Sequence, residues 1–168
     1  MIILAMKRIA VYAGSFDPPT LGHLYMMQQG AALFDELVVV AAVNPDKKGF
    51  LSPAQRRLAL ETMLAELPPN VRVAELREGF LAEYAHGIGA THLLRGVRNS
   101  VDFEYEKTMA RINAQMVPQL QTVFLAPASE VENISSSLVR GLVGQPGWQR
   151  WVRPLVTPAV FDIIATSV

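Results

Sequence analysis

Five short apolar runs, each followed by a segment of helical spacing, leave this chain few folds to choose from. The runs are residues 9–13, 36–43, 71–76, 92–97 and 121–126; the second is almost wholly β-branched or small, the third alternates, and the fourth turns polar at its end. Runs of this length and composition suit strands buried on both faces. Residues 24–34, 52–67, 79–85, 100–116 and 135 onward carry the intervening helical patterns, with Phe103, Met109, Ile112 and Met116 recurring along the fourth. Such regular alternation predicts a parallel sheet with right-handed crossovers and helices on both faces. The expectation is one doubly wound α/β domain over 1–168, Rossmann-like, with a five-stranded sheet and a helical tail at about 148–168. A chain of 168 residues is long enough to bury about two thirds of the surface its unfolded form exposes.

Punctuation between the runs agrees with this reading. Ser52-Pro53-Ala54-Gln55 has the form of a capping box with proline at the first helical position, and Pro68-Pro69 stops the helix it opens. Gly87-Ile88-Gly89 ends the short third helix, and Pro146-Gly147 breaks the fifth.

In an open parallel sheet, ligands bind outside the carboxyl ends of the strands. The polar residues after the strands are Ser15 and His23, then Asn44 to Lys48, then Arg95 to Arg98, then Pro127 to Ser137. The first group is the most telling. Its strand ends in Gly14-Ser15, turns through Pro18-Pro19, and Gly22-His23 opens a helix. A helix start offers unpaired N–H groups and about half a positive charge to an anion. Neither GxGxxG nor GxxxxGK[ST] is present, so this is not one of the commoner phosphate loops.

The converging set is rich in donors: His23, Lys47, Lys48, Arg95, Arg98 and Ser135-Ser136-Ser137. There is no cysteine and no GxSxG elbow, which removes disulfides, thiolate metal sites and a serine-hydrolase nucleophile. Donors without a nucleophile suit phosphoryl or nucleotidyl transfer, where positioning and charge stabilisation do most of the work. Fifteen basic and fifteen acidic residues cancel, so nothing points to nucleic acid as a partner. The apolar run 37–43 is far too short to span a bilayer, and the charges of Lys7-Arg8 come after the apolar start rather than before it, unlike a signal peptide. We read 1–8 as a lead-in, with Met6 as an alternative start, and the cysteine-free composition as compatible with the cytoplasm.

Four motifs stand in order along the chain: G-S-F-D-P-P-T-L-G-H at 14–23, N-P-D-K-K at 44–48, R-G-V-R-N-S-V-D-F-E-Y-E at 95–106 and N-I-S-S-S-L-V-R at 133–140. Thr20-Leu21-Gly22-His23 resembles the [HT]-x-G-H signature of the nucleotidyltransferase superfamily. Together the four resemble the phosphopantetheine adenylyltransferase family, over essentially 7–140. The resemblance implies the nucleotidyltransferase fold and transfer of an adenylyl group from ATP to 4′-phosphopantetheine, giving dephospho-coenzyme A and pyrophosphate. It also implies magnesium, a homohexamer and coenzyme A as a feedback ligand.

Carried over residue by residue, it implies that Ser15 and Phe16 contact ATP through the turn, with Ser15 also near the acceptor phosphate. His23 would stabilise the transition state at the α-phosphorus. Lys47 and Arg95 would hold the acceptor phosphate, and Leu81 would line the pantetheine arm. Gly96, Val97, Arg98 and Glu106 would belong to the nucleotide, with Arg98 joining His23 and Lys47 as a catalytic group. Val131, Glu132, Asn133, Ile134, Ser135, Ser136 and Ser137 would embrace the adenine and the outer phosphates.

Plainer readings stand beside these. His23 and the serines would only cap helices, Lys47 and Lys48 would be a solvated loop pair, Glu106 would pair with Lys107 or Arg111, and Leu81 would be core. His86 and His92 match nothing in the family pattern. The chain departs from that pattern at Ala13, where proline is usual, at Tyr25, where aspartate is common, and around Val131, where an aromatic residue is frequent. Two rival functions remain: a related transferase acting on nicotinamide mononucleotide, and a non-catalytic module binding a nucleotide or coenzyme A.

Overall fold

The computed structural model describes residues 7–42 and 48–168. Five parallel strands, β1 (Ile9–Gly14), β2 (Glu36–Ala42), β3 (Val71–Leu76), β4 (His92–Gly96) and β5 (Gln121–Leu125), form one sheet in the order β3-β2-β1-β4-β5. The order reverses between β1 and β4, where Ala10 pairs with Leu37 on one side and His92 on the other. A reversal of this kind opens a crevice at the carboxyl ends of the two central strands.

Both faces of the sheet are covered, as the apolar central strands β1 and β2 require. On one face Tyr12, Leu37, Val39 and Leu94 pack under Met27 and Ala31 of α1 (Leu21–Leu33) and Leu60 of α2 (Pro53–Met63). On the other, Val11, Val38, Val40 and Leu93 meet Ala82 and Ala85 of α3 (Leu81–Gly87), with Val117 and Leu120. The start of α2 carries the expected capping box: Ser52 Oγ accepts from Gln55 N and Ser52 N–H donates to Gln55 Oε1. A tight 3-10 turn, Leu64–Glu66, continues the helix at its other end.

The segment after 148 is helical but not continuous. Pro154 and Pro158 divide it into α6 (Gln149–Val152), a 3-10 turn (Arg153–Leu155) and α7 (Pro158–Ala165), since proline cannot continue an α-helix from within. Nor is it peripheral. Trp148, Val152, Val160, Phe161 and Ile164 form a third core with Ala59 and Met63 of α2, Leu24 of α1 and Val139 of α5 (Ser136–Leu142). Because α1 is wedged between this core and the sheet, its two flanks are both apolar and it lacks the single polar face of an amphipathic helix.

The long helix α4 (Ser100–Met116) buries none of its residues fully. Phe103 meets Phe124 of edge strand β5 edge-to-face at 5.3 Å, yet Val101 is 78% and Tyr105 64% exposed, and Ile112 and Met116 are also open. The helical spacing read from Phe103, Met109, Ile112 and Met116 is real, but the face it marks is left largely open.

Candidate active site

The turn after β1 is built around a phenylalanine in an unusual backbone conformation. Phe16 has φ +47°, a left-handed value that costs a bulky residue about 1–2 kcal/mol. Its ring offsets this by complete burial, meeting Tyr12 edge-on at 5.6 Å and His23 at 5.0 Å and lying over Gly14, where a Cβ would stand 3.3 Å from it. Phe16 therefore supports the floor of the turn and does not itself line the cleft.

The cleft above this floor has a volume of about 360 Å³. Ser15, His23, Arg95, Gly96, Arg98, Glu106, Val131, Ile134 and all three serines of 135–137 line it. Val97, Glu132 and Asn133 do not; Val97 N–H instead donates to Leu125 O, tying the end of β4 to β5. Leu81, partly buried, packs against the core at the start of α3 and does not line this cleft. Lys47 lies outside the described residues, and Lys48 is exposed.

His23 does two jobs, one on each ring nitrogen. Thr20 N–H donates to Nδ1 at 3.0 Å, and Thr20 Oγ1 lies 2.9 Å from the same atom. A backbone N–H can only donate, so Nδ1 is unprotonated and a neutral ring carries its hydrogen on Nε2. Burial pushes the imidazole pKa down to about 4, and the positive charge of Arg98 pushes the same way. At neutral pH the ring is thus an uncharged donor. Among the described residues Nε2 has no hydrogen-bond partner. The glycine before it is required by packing: a Cβ at Gly22 would lie 2.8 Å from Ile134 O, so only glycine lets the 131–134 turn close over the start of α1.

Arg95 extends from the end of β4 into a fork with Glu106 on α4. Its Nε and Nη2 donate to the two carboxylate oxygens at 2.7 and 2.5 Å, and Nη1 donates to Ala13 O at 3.0 Å. Burial opposes the charge of Arg95, but the hydrogen bonds and charge of Glu106 outweigh it and hold the pKa above its ordinary value. Glu106 is therefore not a surface partner of Lys107 or Arg111; Lys107 pairs with Glu104 instead. Arg98 is more open and donates from Nε to Asp102 at 2.9 Å.

The serine run divides its labour. Ser135 Oγ caps α5 by accepting from Leu138 N, Ser136 Oγ donates to Pro18 O at 2.8 Å, and Ser137 Oγ accepts from Arg140 Nη2 at 3.0 Å. Arg140 also donates to Asp17 O, so the last motif is stitched to the first turn through two bonds.

Further lining residues carried no assigned role, among them Tyr12 and Met26 outside the four motifs and Asp102, Tyr105 and Arg140 within them. Tyr12 was detectable as the one polar side chain in an apolar strand, two residues before the turn. Burial holds its hydroxyl well above the usual phenol pKa, against the pull of Arg95 and Arg98. Arg140 was detectable as the cation one helical turn after Ser137.

Chemically, the cleft offers a neutral N–H donor, three arginines, hydroxyls and a helix start, around space enough for a phosphate-bearing ligand. The two carboxylates that line it, Asp102 and Glu106, are both taken by arginines. No three His, Cys, Asp or Glu side chains gather as a metal cage among the described residues. The donor set thus fits a magnesium ion carried on a nucleotide's phosphates rather than one caged by the protein.

Residues 11–142 match the cytidylyltransferase-like family. The phosphopantetheine adenylyltransferase of Neisseria meningitidis serogroup B is 44% identical over 157 residues, covering 94% of this chain and 92% of that one. That of Chromobacterium violaceum is 43% identical over 156 residues, covering 93% and 94%. A solved structure of Plasmodium falciparum nicotinic acid mononucleotide adenylyltransferase complexed with NaAD superposes with a TM-score of 0.66 over 95% of each chain, at 16% identity. That last likeness is one of fold.

Proposed function

Because this chain belongs to the phosphopantetheine adenylyltransferase family, within the cytidylyltransferase-like proteins, we propose that its cleft transfers the adenylyl group of ATP to 4′-phosphopantetheine. A phosphate oxygen of the acceptor attacks the α-phosphorus of ATP. The bond from that phosphorus to the α,β-bridging oxygen breaks, and pyrophosphate leaves, giving dephospho-coenzyme A. No covalent bond to the protein is needed.

The observation that carries the reading is the locked tautomer of His23 between Arg98 and the start of α1. A neutral Nε2–H held in place donates to the charge that builds on the α-phosphate oxygens and needs no reorganisation at the moment of reaction. Arg95, with its Nε edge occupied by Glu106, presents its remaining N–H groups to the acceptor phosphate. Glu106 then acts through Arg95 rather than on the nucleotide. Arg98, Gly96 and the segment from Val131 to Ser137 hold the nucleotide, and the turn at Ser15 borders both ligands. Lys47 offsets the repulsion between the two approaching anions. Magnesium would enter with the nucleotide that Arg98 and Ser135 to Ser137 hold, and would supply positive charge for its phosphates.

The open face of α4 supports assembly into a homohexamer, because a single copy leaves Val101, Tyr105, Ile112 and Met116 in water. Feedback by coenzyme A and a cytoplasmic location complete the proposal; no helix among the described residues is long and apolar enough to cross a membrane. The test is pyrophosphate release from magnesium-ATP with phosphopantetheine, with nicotinamide mononucleotide and with no acceptor. Release with phosphopantetheine alone is expected, and equal release with the mononucleotide would favour the rival transferase.

A further inference from the structure

We propose that the Tyr12 hydroxyl is a further donor in the cleft, binding the acceptor's phosphate beside Arg95. Tyr12 is the one polar side chain of β1, the central strand, where it pairs with Val39 on one side and Leu94 on the other. Its ring belongs to the core under α1 and is 8% exposed. Phenylalanine would serve that packing equally well, and a hydroxyl carried into a core costs free energy unless it finds a partner. Among the described residues Tyr12 has no hydrogen-bond partner, yet none of them leaves a sealed side-chain oxygen or nitrogen unpaired. The hydroxyl is therefore not sealed in the core; it faces the cleft that Tyr12 lines.

The surroundings select its ligand. Phe16 braces the Tyr12 ring edge-on at 5.6 Å and meets His23 at 5.0 Å, so two neutral donors stand on one phenylalanine. Arg95 Nη1 donates at 3.0 Å to the carbonyl of Ala13, the next residue along β1, and so closes over the same strand end. Arg98 turns instead to Asp102 on α4. The charges of Arg95 and Arg98 both act on the phenol, yet burial outweighs them and keeps its pKa above the ordinary value. A protonated phenol near two cations meets an anion as its partner. Of the two anions the reaction brings together, the one held by Arg95 is the acceptor's phosphate. A neutral donor also suits a group that must attack. It orients a phosphate oxygen without adding a positive charge that would make that oxygen less basic.

The inference rests on the adenylyl-transfer reading, and the experiment keeps the two apart. Full-length wild type and Tyr12→Phe are compared by calorimetric titration with 4′-phosphopantetheine and with magnesium-ATP, by pyrophosphate release, and by thermal melting without ligand. Tyr12→Phe is expected to weaken phosphopantetheine binding about 10–100-fold, the worth of one hydrogen bond to a charged group. KM for the acceptor should rise in parallel, with kcat within about fivefold, because the contact is made both before and during transfer. Magnesium-ATP should bind within about twofold of wild type. The melting midpoint of the free protein should hold or rise, since the lost hydroxyl has no partner in the fold. Unchanged acceptor binding, a loss that falls equally or mainly on ATP, or a midpoint lowered by several degrees would each overturn the assignment while wild-type turnover leaves the transfer reading standing. If wild type itself releases no pyrophosphate with phosphopantetheine, that reading fails and the role of Tyr12 falls with it.

Discussion

Replacing His23 by asparagine and by glutamine separates its two nitrogens, because each amide keeps one of them. Asparagine places Oδ1 where Nδ1 stands, so it can still accept from Thr20 N–H, now 3.0 Å from the ring. It has nothing at the position of Nε2. Glutamine places an amide N–H₂ near Nε2 and nothing at Nδ1. For the asparagine variant the lost group is one preorganised donor to the transition state, typically ~10²–10³ in kcat, or about 3–4 kcal/mol of barrier. Its stability should hardly change. For the glutamine variant the lost group is the acceptor for a backbone N–H on a residue 1% exposed, and an unpaired buried donor costs about 1–3 kcal/mol. At about 2–4 °C per kcal/mol for a chain of this size, its melting point should fall by roughly 2–12 °C. Turnover should fall only about tenfold, since a donor remains on a looser stem. Steady-state pyrophosphate release and thermal melts of the two proteins decide the matter. If the asparagine variant turns over normally, or if it is the glutamine variant that loses kcat while keeping its stability, the tautomer argument is wrong.

Glu106→Gln should raise KM for phosphopantetheine about tenfold or more, by loosening a charged hydrogen-bonded fork on Arg95, with KM for ATP nearly unchanged; Arg98→Ala should do the reverse, and calorimetric titration of each ligand checks both. Gly22→Ala should weaken ATP binding more than acceptor binding, since its Cβ would lie 2.8 Å from Ile134 O and push the 131–134 turn outward; a nucleotide titration unchanged from wild type would contradict the assigned packing. His23, with a folded pKa of about 4 against 6.5 unfolded, binds its proton less readily when folded, so its contribution to stability is complete above pH 6.5 and is lost as pH falls toward 4. That loss amounts to about 3 kcal/mol, and chemical denaturation from pH 7 to 4 should show a shallower decline in His23→Asn than in wild type.

The strands were legible because the central strands of a parallel sheet covered on both faces are almost wholly apolar, as β1 and β2 are, so each such run marks its own limits within a residue or two. The convergence of His23, Arg95, Arg98 and the serines was legible too, since topology alone brings strand ends to one edge. What eluded the sequence were pairings set by the angle between elements. Arg95 and Glu106 are eleven residues apart, and only the tilt of α4 over the end of β4 makes them partners rather than opposite sides of the site. Phe16 stands in the middle of the most telling motif, yet a left-handed backbone turns its ring into the core. The prolines at 154 and 158 were visible, but not that the pieces they separate would close over α2. Asp17 carried no more signal than any motif aspartate, because the N–H groups its carboxylate accepts from, those of Phe50 and Leu51, lie beyond the second strand.

The claim that donors alone, without a protein nucleophile, carry the adenylyl group is tested most directly at the phosphorus itself. ATP bearing a single sulfur configuration at the α-phosphorus is converted with phosphopantetheine, and the configuration of the thio-substituted dephospho-coenzyme A is read by phosphorus NMR. One in-line displacement between bound ligands predicts inversion. Retention would mean two displacements through an adenylylated side chain, and would contradict the account of this cleft.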